Sequence, residues 1–313
     1  MKSLDSRILA ILASLLWATA FLGVKVGLES APPFLFAGIR FLGAGLAVAL
    51  INRKKGVFIQ IRSHWRIVIL VGFLQTFMLY GFFFYSLTFM KASTGAIVNG
   101  IGPLLVALVA HFTLSANKLK KSQFFCLLMG VAGVFLVTYN GAADGSTGLE
   151  SLNSSETRGI LLMLGGLISG AFASVAVTKS PDSLDPFVLN AGQLIIGSLG
   201  LLLAGFIQGD HFYYGIPDLG FWISLLWLMF VTGGGFSIWY YLLKVRKEAL
   251  SEIAVWRFLI PLGGSVLSWI FMKNDNPTFL SFCGMTLTAL SIFLFYRISS
   301  SRENPEILKE GEF

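Results

Sequence analysis

Residues 34–45 read FLFAGIRFLGAG, and the arginine in that stretch is the first clue to the fold. Arg40 stands inside an apolar run that begins after Pro33 and ends near Ile51. If the run lies in lipid, an arginine at its centre costs about 2.5–3.5 kcal/mol on insertion scales, so something inside the protein must compensate it.

The rest of the chain says that the run does lie in lipid. Of 313 residues, 55% are hydrophobic and 12% are charged, where a soluble domain carries about 25% charged residues. Runs of roughly 20 apolar residues are the length that crosses a bilayer as a helix. They fall at 8–28, 34–51, 66–85, 93–114, 122–139, 159–178, 186–207, 219–243, 251–272 and 278–297. The expected fold class is an all-α polytopic membrane protein with ten transmembrane helices.

A net charge of +7 invites a nucleic-acid reading, and the positions of the cations argue against it. Arg53, Lys54, Lys55, Arg62 and Arg66, Lys118, Lys120 and Lys121, Lys179, Lys244, Arg246 and Lys247, and the tail cations Arg297, Arg302 and Lys309 all fall in segments on the side of the N-terminus. The opposite ends hold only Lys25, Lys91, Arg158 and Lys273. Cationic loops mark the cytoplasmic side, so both termini are placed in the cytoplasm and the partner surface is the lipid bilayer, with no nucleic acid.

Other chemistries find no support. Cys126 and Cys283 open helices entered from opposite sides, too far apart for a disulfide. His64, His111 and His211 fall in separate places along the topology and do not converge on a metal, so neither metal nor cofactor is expected. No catalytic constellation is visible. Lys2, Arg7 and the ATA at 18–20 resemble a signal peptide with its cleavage site, but the apolar run continues through FLGVKV and cleavage would leave nine helices.

The chain repeats itself. At an offset of 153, residues 17–50 match 170–203 at Ala18/Ala171, Ala20/Ala173, Val24/Val177, Ser30/Ser183, Pro33/Pro186, Phe34/Phe187, Leu46/Leu199 and Leu50/Leu203. At an offset of 158, Pro103 meets Pro261. Five helices per half is an odd number, which turns the second half upside down. Inverted repeats of this kind place a substrate at the repeat interface near the midplane. The expected organisation is a first five-helix repeat at 1–139, an outer connecting loop at 140–158, a second repeat at 159–297 and a cytoplasmic tail at 298–313.

LLWATAFLGVK in the first span, Pro33 with GIRFLGAG, KAST before a span with Pro103, then Gln123 and GVAGVFLV together resemble the drug/metabolite transporter superfamily, in its ten-helix EamA-like branch. The resemblance runs from about residue 8 to 297. It implies a secondary transporter, an exporter of a small polar or amino-acid-like metabolite, in the plasma (inner) membrane of a bacterium, as a monomer or a homodimer. One departure is that the family's glutamates after the fourth and in the ninth span are replaced here by LSANK (114–118) and KNDN (273–276). A membrane enzyme acting on a lipid-linked substrate and a non-transporting receptor or scaffold are the alternative readings.

The two offsets relate the intramembrane charges to one another. Arg40 maps to Gln193, and Arg257 maps to Asn99. Strongly polar residues at both members of two pairs are expected to face the bundle interior, because a lipid-facing polar group lacks a partner. Pro103 and Pro261 each remove the hydrogen bond to the carbonyl four residues earlier, which belongs to Asn99 and Arg257, so a kink and an open acceptor are expected there. Trp17, Phe21 and Lys25 share a face of the first span. Trp17, Trp239, Tyr240, Trp256 and Gln75 are candidates to line the cavity with Arg257 and Asn99, and Gly234, in TGGG at 232–235, is a candidate hinge. For Arg40 the favoured reading is a tie to helix carbonyls or to Glu29, with substrate contact as the alternative.

Overall fold

The computed structural model describes residues 6–86, 88, 89, 95, 98–139, 154–212, 217–271 and 279–300. Every regular element among them is helical. Among the described residues, seven helices are long and apolar enough to cross a membrane, and shorter apolar helical stretches cover Ser6–Ala20, Gly102–Thr113 and Lys121–Leu136. Seven of the ten spans expected from the sequence are present at membrane-crossing length among the described residues, and the other three overlap only the shorter stretches. The protein is a multi-pass membrane protein.

In chain order the helices are α1 (Ser6–Leu28), α2 (Pro33–Ile51), α3 (Val57–Ser63), α4 (Trp65–Ser86), α5 (Gly102–Thr113), α6 (Lys121–Tyr139), α7 (Ser154–Thr178), α8 (Pro186–Gln208), α9 (Leu219–Val245), α10 (Leu250–Val255), α11 (Leu259–Phe271) and α12 (Phe279–Ser300). The repeat-related prolines Pro33 and Pro186 both stand in the first turn of their helices, where the missing N–H has no partner to lose. The short α3 was not anticipated. Its VFIQIRS is too short to cross and lies between two chain-reversing residues, Gly56 in the left-handed region and His64.

Two expected spans are broken rather than kinked. The span at 93–114 is helical at 98 and 99, turns at 100 and 101, and restarts at Gly102, so Pro103 opens α5 instead of bending a continuous helix. The span at 251–272 is α10, a 3-10 turn at Trp256–Phe258 and α11. Here the Leu259 N–H turns back to the Trp256 carbonyl three residues earlier, so the helix is interrupted just before Pro261. In α4 the stretch Gly72–Met78 winds as a π-helix, a wide turn that often marks a functional position.

The helices pack in a regular set of pairs: α2 lies along α8 and α6 along α12; α1 packs on α9 and α11, α7 on α4 and α5, α4 on α8 and α9 on α2. Small residues make these approaches possible, since lipid offers no hydrophobic drive between helices and close packing must replace it. A Cβ at Gly197 of α8 would lie 2.5 Å from the Gly72 carbonyl oxygen, and one at Gly133 of α6 would lie 2.7 Å from that of Gly284. Any larger residue at either position forces the backbones apart.

One end of the bundle is laced by polar contacts. Lys55 pairs with Asp185 at 2.8 Å, Lys247 pairs with Asp182, and Lys244 donates to the Pro181 carbonyl at 2.7 Å. Asn117 joins the same end, donating to the Lys247 carbonyl and accepting from the Leu250 N–H. This is the lysine- and arginine-rich end of the chain's topology.

Candidate functional site

Between α1, α2, α4, α7, α9 and the broken span of α10 and α11 lies a partly open cavity of about 150 Å³. That is the size of cavity that holds a benzene-sized body, well below the roughly 300–1,000 Å³ of sites for drug-sized ligands. On α1, Trp17, Ala20 and Val24 line it from the helix's second half. Gln75, Leu79, Tyr80, Phe83 and Phe84 line it from the second half of α4. The cavity therefore occupies the middle of the bundle and the part away from the laced end.

Arg40 and Arg257 both face this cavity. Arg40 is 4% exposed, and its Nε is buried without a hydrogen-bond partner. Its guanidinium lies 4.3 Å from the Phe41 ring centre and 5.7 Å from that of Tyr80. The expected tie to helix carbonyls or to Glu29 is not made among the described residues. The physical reason is position: α2 turns Arg40 toward the bundle axis, against rings on α2 and α4 that offer faces and no carbonyl.

Arg257 is arranged in the same way. Its Nε is buried and unpartnered, and its guanidinium stands 5.4 Å from the Trp239 ring and 5.7 Å from the Trp17 ring. The 3-10 turn that carries it is the local break before Pro261. Cation–π contact supplies on the order of 0.5–2 kcal/mol, which offsets only part of the cost of holding a guanidinium out of water. Among the described lining residues there is no carboxylate.

Several other candidates converge here. Asn99, Gln75, Trp17 and Trp239 line the cavity with the two arginines. Gln75 belongs to the π-helical turn, and Asn99 precedes the turn that restarts as α5. The repeat partners Asn99 and Arg257 thus reach one cavity from two helix breaks. Trp17 packs edge-on against Phe236 at 5.3 Å and Trp239 at 5.8 Å, and its Nε1 is a further buried donor without a partner.

The structure keeps the remaining candidates out of the lining. Gln193, fully buried, accepts from the Thr76 hydroxyl at 2.5 Å and donates to Asn190 Oδ1 at 3.0 Å. Asn190 in turn donates to Ser237 Oγ at 3.0 Å and to the Gly233 carbonyl at 3.3 Å. Tyr240 lies behind Phe236, fully buried with its hydroxyl unpartnered, and Trp256 packs near Tyr296. Pro103 and Pro261 shape the breaks without lining the cavity.

α9 runs through TGGG without interruption. Gly235 leaves room for the Trp17 indole, because a Cβ there would meet Nε1 at 2.7 Å; Gly234 has open space up to Leu16 at 4.0 Å. The side chains of Phe21 and Lys25 lie outside the described residues.

Sequence reasoning missed Tyr80, Phe236 and Thr232, all in the lining. Tyr80 is central: it lies within electrostatic reach of both Arg40 and Arg257, and its ring meets Phe41 at 4.4 Å and Phe236 at 6.4 Å. A tyrosine in an apolar span carries no charge or break to draw notice. The spacing Arg40–Phe41 beside Leu79–Tyr80 carried no such signal either.

Membrane-crossing helices around a cationic cavity of small-solute size define a polytopic membrane protein with an intramembrane pocket. The comparisons name the family. The EamA-like transporter family model matches residues 6–139 and again 157–297, and the chain belongs to that family. An uncharacterized transporter of Bacillus subtilis (strain 168), YvbV, is 29% identical over 94% of this chain and 92% of its own length. An uncharacterized transporter of Archaeoglobus fulgidus is 26% identical over 92% of this chain and 96% of its own length. The WAT1-related protein At3g02690, chloroplastic, of Arabidopsis thaliana is 26% identical over 89% of this chain and 66% of its own length. A solved crystal structure superposes with a TM-score of 0.80 at 20% identity, covering 96% of this chain and 99% of that one, a likeness that speaks to the fold alone.

Proposed function

We propose that this protein is a secondary transporter that exports a small polar metabolite of amino-acid size across the plasma membrane, by alternating access between two inverted five-helix repeats. The observation that carries the reading is a pair of guanidiniums, each with a buried, unpartnered Nε, facing one cavity among aromatic rings. Two guanidiniums with no carboxylate among the described lining residues suit an anionic solute with a short body.

The helix pairs support the two-repeat arrangement. Exchanging α1 with α7, α2 with α8, α4 with α9, α5 with the α10–α11 unit and α6 with α12 turns every packing pair named above into another member of the same set. The two separate family matches along the chain support it as well. The laced end beside a cavity displaced from it is what one closed gate of an alternating-access cycle requires.

The test is counterflow in proteoliposomes. Vesicles preloaded with unlabelled solute are expected to take up the labelled solute transiently and saturably, for at least one member of a panel of amino acids and small carboxylates. A folded, reconstituted protein that moves none of them ends the transporter reading.

Orientation follows from the cationic loops, with both termini and residues 51–56 in the cytoplasm and residues 140–157 outside. Single cysteines at Ser3 and Ser146 check it: an impermeant thiol reagent added to whole cells should label the second and spare the first. The opposite pattern inverts the assignment, and with it the direction of the laced end.

A further inference from the structure

We propose that the cavity takes a small dianion, a solute with two negative charges and no cationic group, rather than a zwitterion. The inference rests on the transport reading for its biological use, but it is a statement about binding and is tested as one. The solute carries either two carboxylates or one phosphate monoester.

The described lining carries two cationic side chains and no anionic one. Arg40 and Arg257 bring two positive charges, and neither makes an ion pair or a hydrogen bond with any described residue. They stand on separate helices, and each rests on its own aromatic support: Phe41 and Tyr80 beneath Arg40, Trp17 and Trp239 beneath Arg257. A single carboxylate bound to one guanidinium leaves the other buried and uncompensated, which is the costly arrangement for a charge away from water.

A zwitterion fares worse. Its ammonium would enter a cavity whose described lining holds no carboxylate, in the field of two guanidiniums, with the faces of Trp17 and Trp239 already occupied by Arg257. The remaining polar groups, Gln75, Asn99 and Tyr80, suit the rest of a dianion's oxygen atoms, since carboxamides and a phenol donate as well as accept. Each guanidinium forms a fork that matches a carboxylate or phosphate edge. The volume of about 150 Å³ suits a short chain between the two acidic groups.

The experiment uses the purified full-length chain in detergent and measures affinity by calorimetry for three solutes of equal chain length: succinate, butyrate and γ-aminobutyrate. Their charges at neutral pH are −2, −1 and zero. A second arm uses glycerol 3-phosphate against glycerol, which distinguishes a phosphate monoester from a dicarboxylate. The expected result is a dianion of one arm or both binding at least tenfold more tightly than its less charged analogue, with γ-aminobutyrate the weakest of the first three.

Arg40→Gln and Arg257→Gln should each remove that tenfold preference without lowering the unliganded melting temperature. The wild-type series decides by itself if either variant fails to fold. Butyrate or γ-aminobutyrate binding as tightly as succinate with no preference in the phosphate arm, or no dianion binding in either arm, overturns the proposal. Failure of the transport reading looks different: a dianion binds, yet counterflow is absent for it and for every other solute.

Discussion

Helices α2 and α8 are repeat partners by the sequence offset and lie along one another, yet they use their matched polar positions in opposite ways. Arg40 of α2 faces the cavity with an unpartnered Nε. Gln193 of α8, at the same repeat position, is tied on both sides, to Thr76 of α4 and to Asn190, and through Asn190 to Ser237 and Gly233 of α9. One half of the protein turns the position toward the cavity and the other ties it between helices.

The largest expected effect breaks this comparison directly. Arg40→Gln should lower affinity for the bound anion by about 10- to 100-fold, the range of a lost charge-assisted hydrogen bond of roughly 1.5–3 kcal/mol. Its melting temperature should hold or rise, because the wild-type side chain bonds to no described residue and the cost of its desolvation is only partly offset. Gln193→Leu should do the reverse. It leaves the Thr76 hydroxyl and Asn190 Oδ1 in the interior without their partner, a loss of about 1–3 kcal/mol of stability, with affinity little changed. Thermal unfolding beside calorimetry of the two purified variants measures both. An Arg40 variant that melts early at full affinity would return that arginine to the structural role that its apolar surroundings first suggest.

What could be read from the sequence divides along the same line. Charges and breaks were legible: Arg40, Arg257, Asn99, Pro103 and Pro261 stand out because lipid penalises an unpaired charge and a helix cannot pass a proline unchanged. The direction of a side chain around its helix was not. In a span that is apolar all round, periodicity gives no phase, so Tyr240 and Trp256 looked as suitable as Trp17 and Trp239, and Tyr80 went unnoticed.

The π-helical turn at Gly72–Met78 compounds this, since it shifts the face on which Gln75 and the residues after it emerge. Gln193 shows the remaining limit. Symmetry with Arg40 correctly put it in the interior, but interior polar groups satisfy one another as readily as they meet a ligand, and only the positions of Thr76 and Asn190 decide which.

The smallest expected effects concern how the two helices begin. α8 carries its own cap: Asp185 Oδ1 accepts from the Phe187 and Val188 N–H groups, while Oδ2 pairs with Lys55. α2 starts at Pro32–Pro33 with no side-chain cap of its own and borrows one, as Asp210 Oδ2 accepts from the Leu35 N–H at 3.3 Å. Gly209, in the left-handed region at φ 77°, ends α8 and turns Asp210 onto the start of α2. Asp185→Ala should therefore cost about 1–2 kcal/mol, toward the upper end of cap losses, and Asp210→Ala less than 1 kcal/mol.

The pH dependence sharpens the difference. Partial burial pushes the Asp210 carboxyl above its ordinary pKa, opposed by the Leu35 N–H and by His211. A carboxyl whose pKa is higher in the folded state favours folding in its protonated form, so its contribution is largest at acid pH and declines as pH rises through the raised value. Asp210→Asn keeps an oxygen that can accept from Leu35 and cannot ionise. It should match the wild type in acid and equal or slightly exceed it at neutral pH. Melting curves of the two proteins across that range test this; a variant less stable at neutral pH than in acid, relative to wild type, would mean that the charge on Asp210 strengthens the start of α2 by more than its desolvation costs.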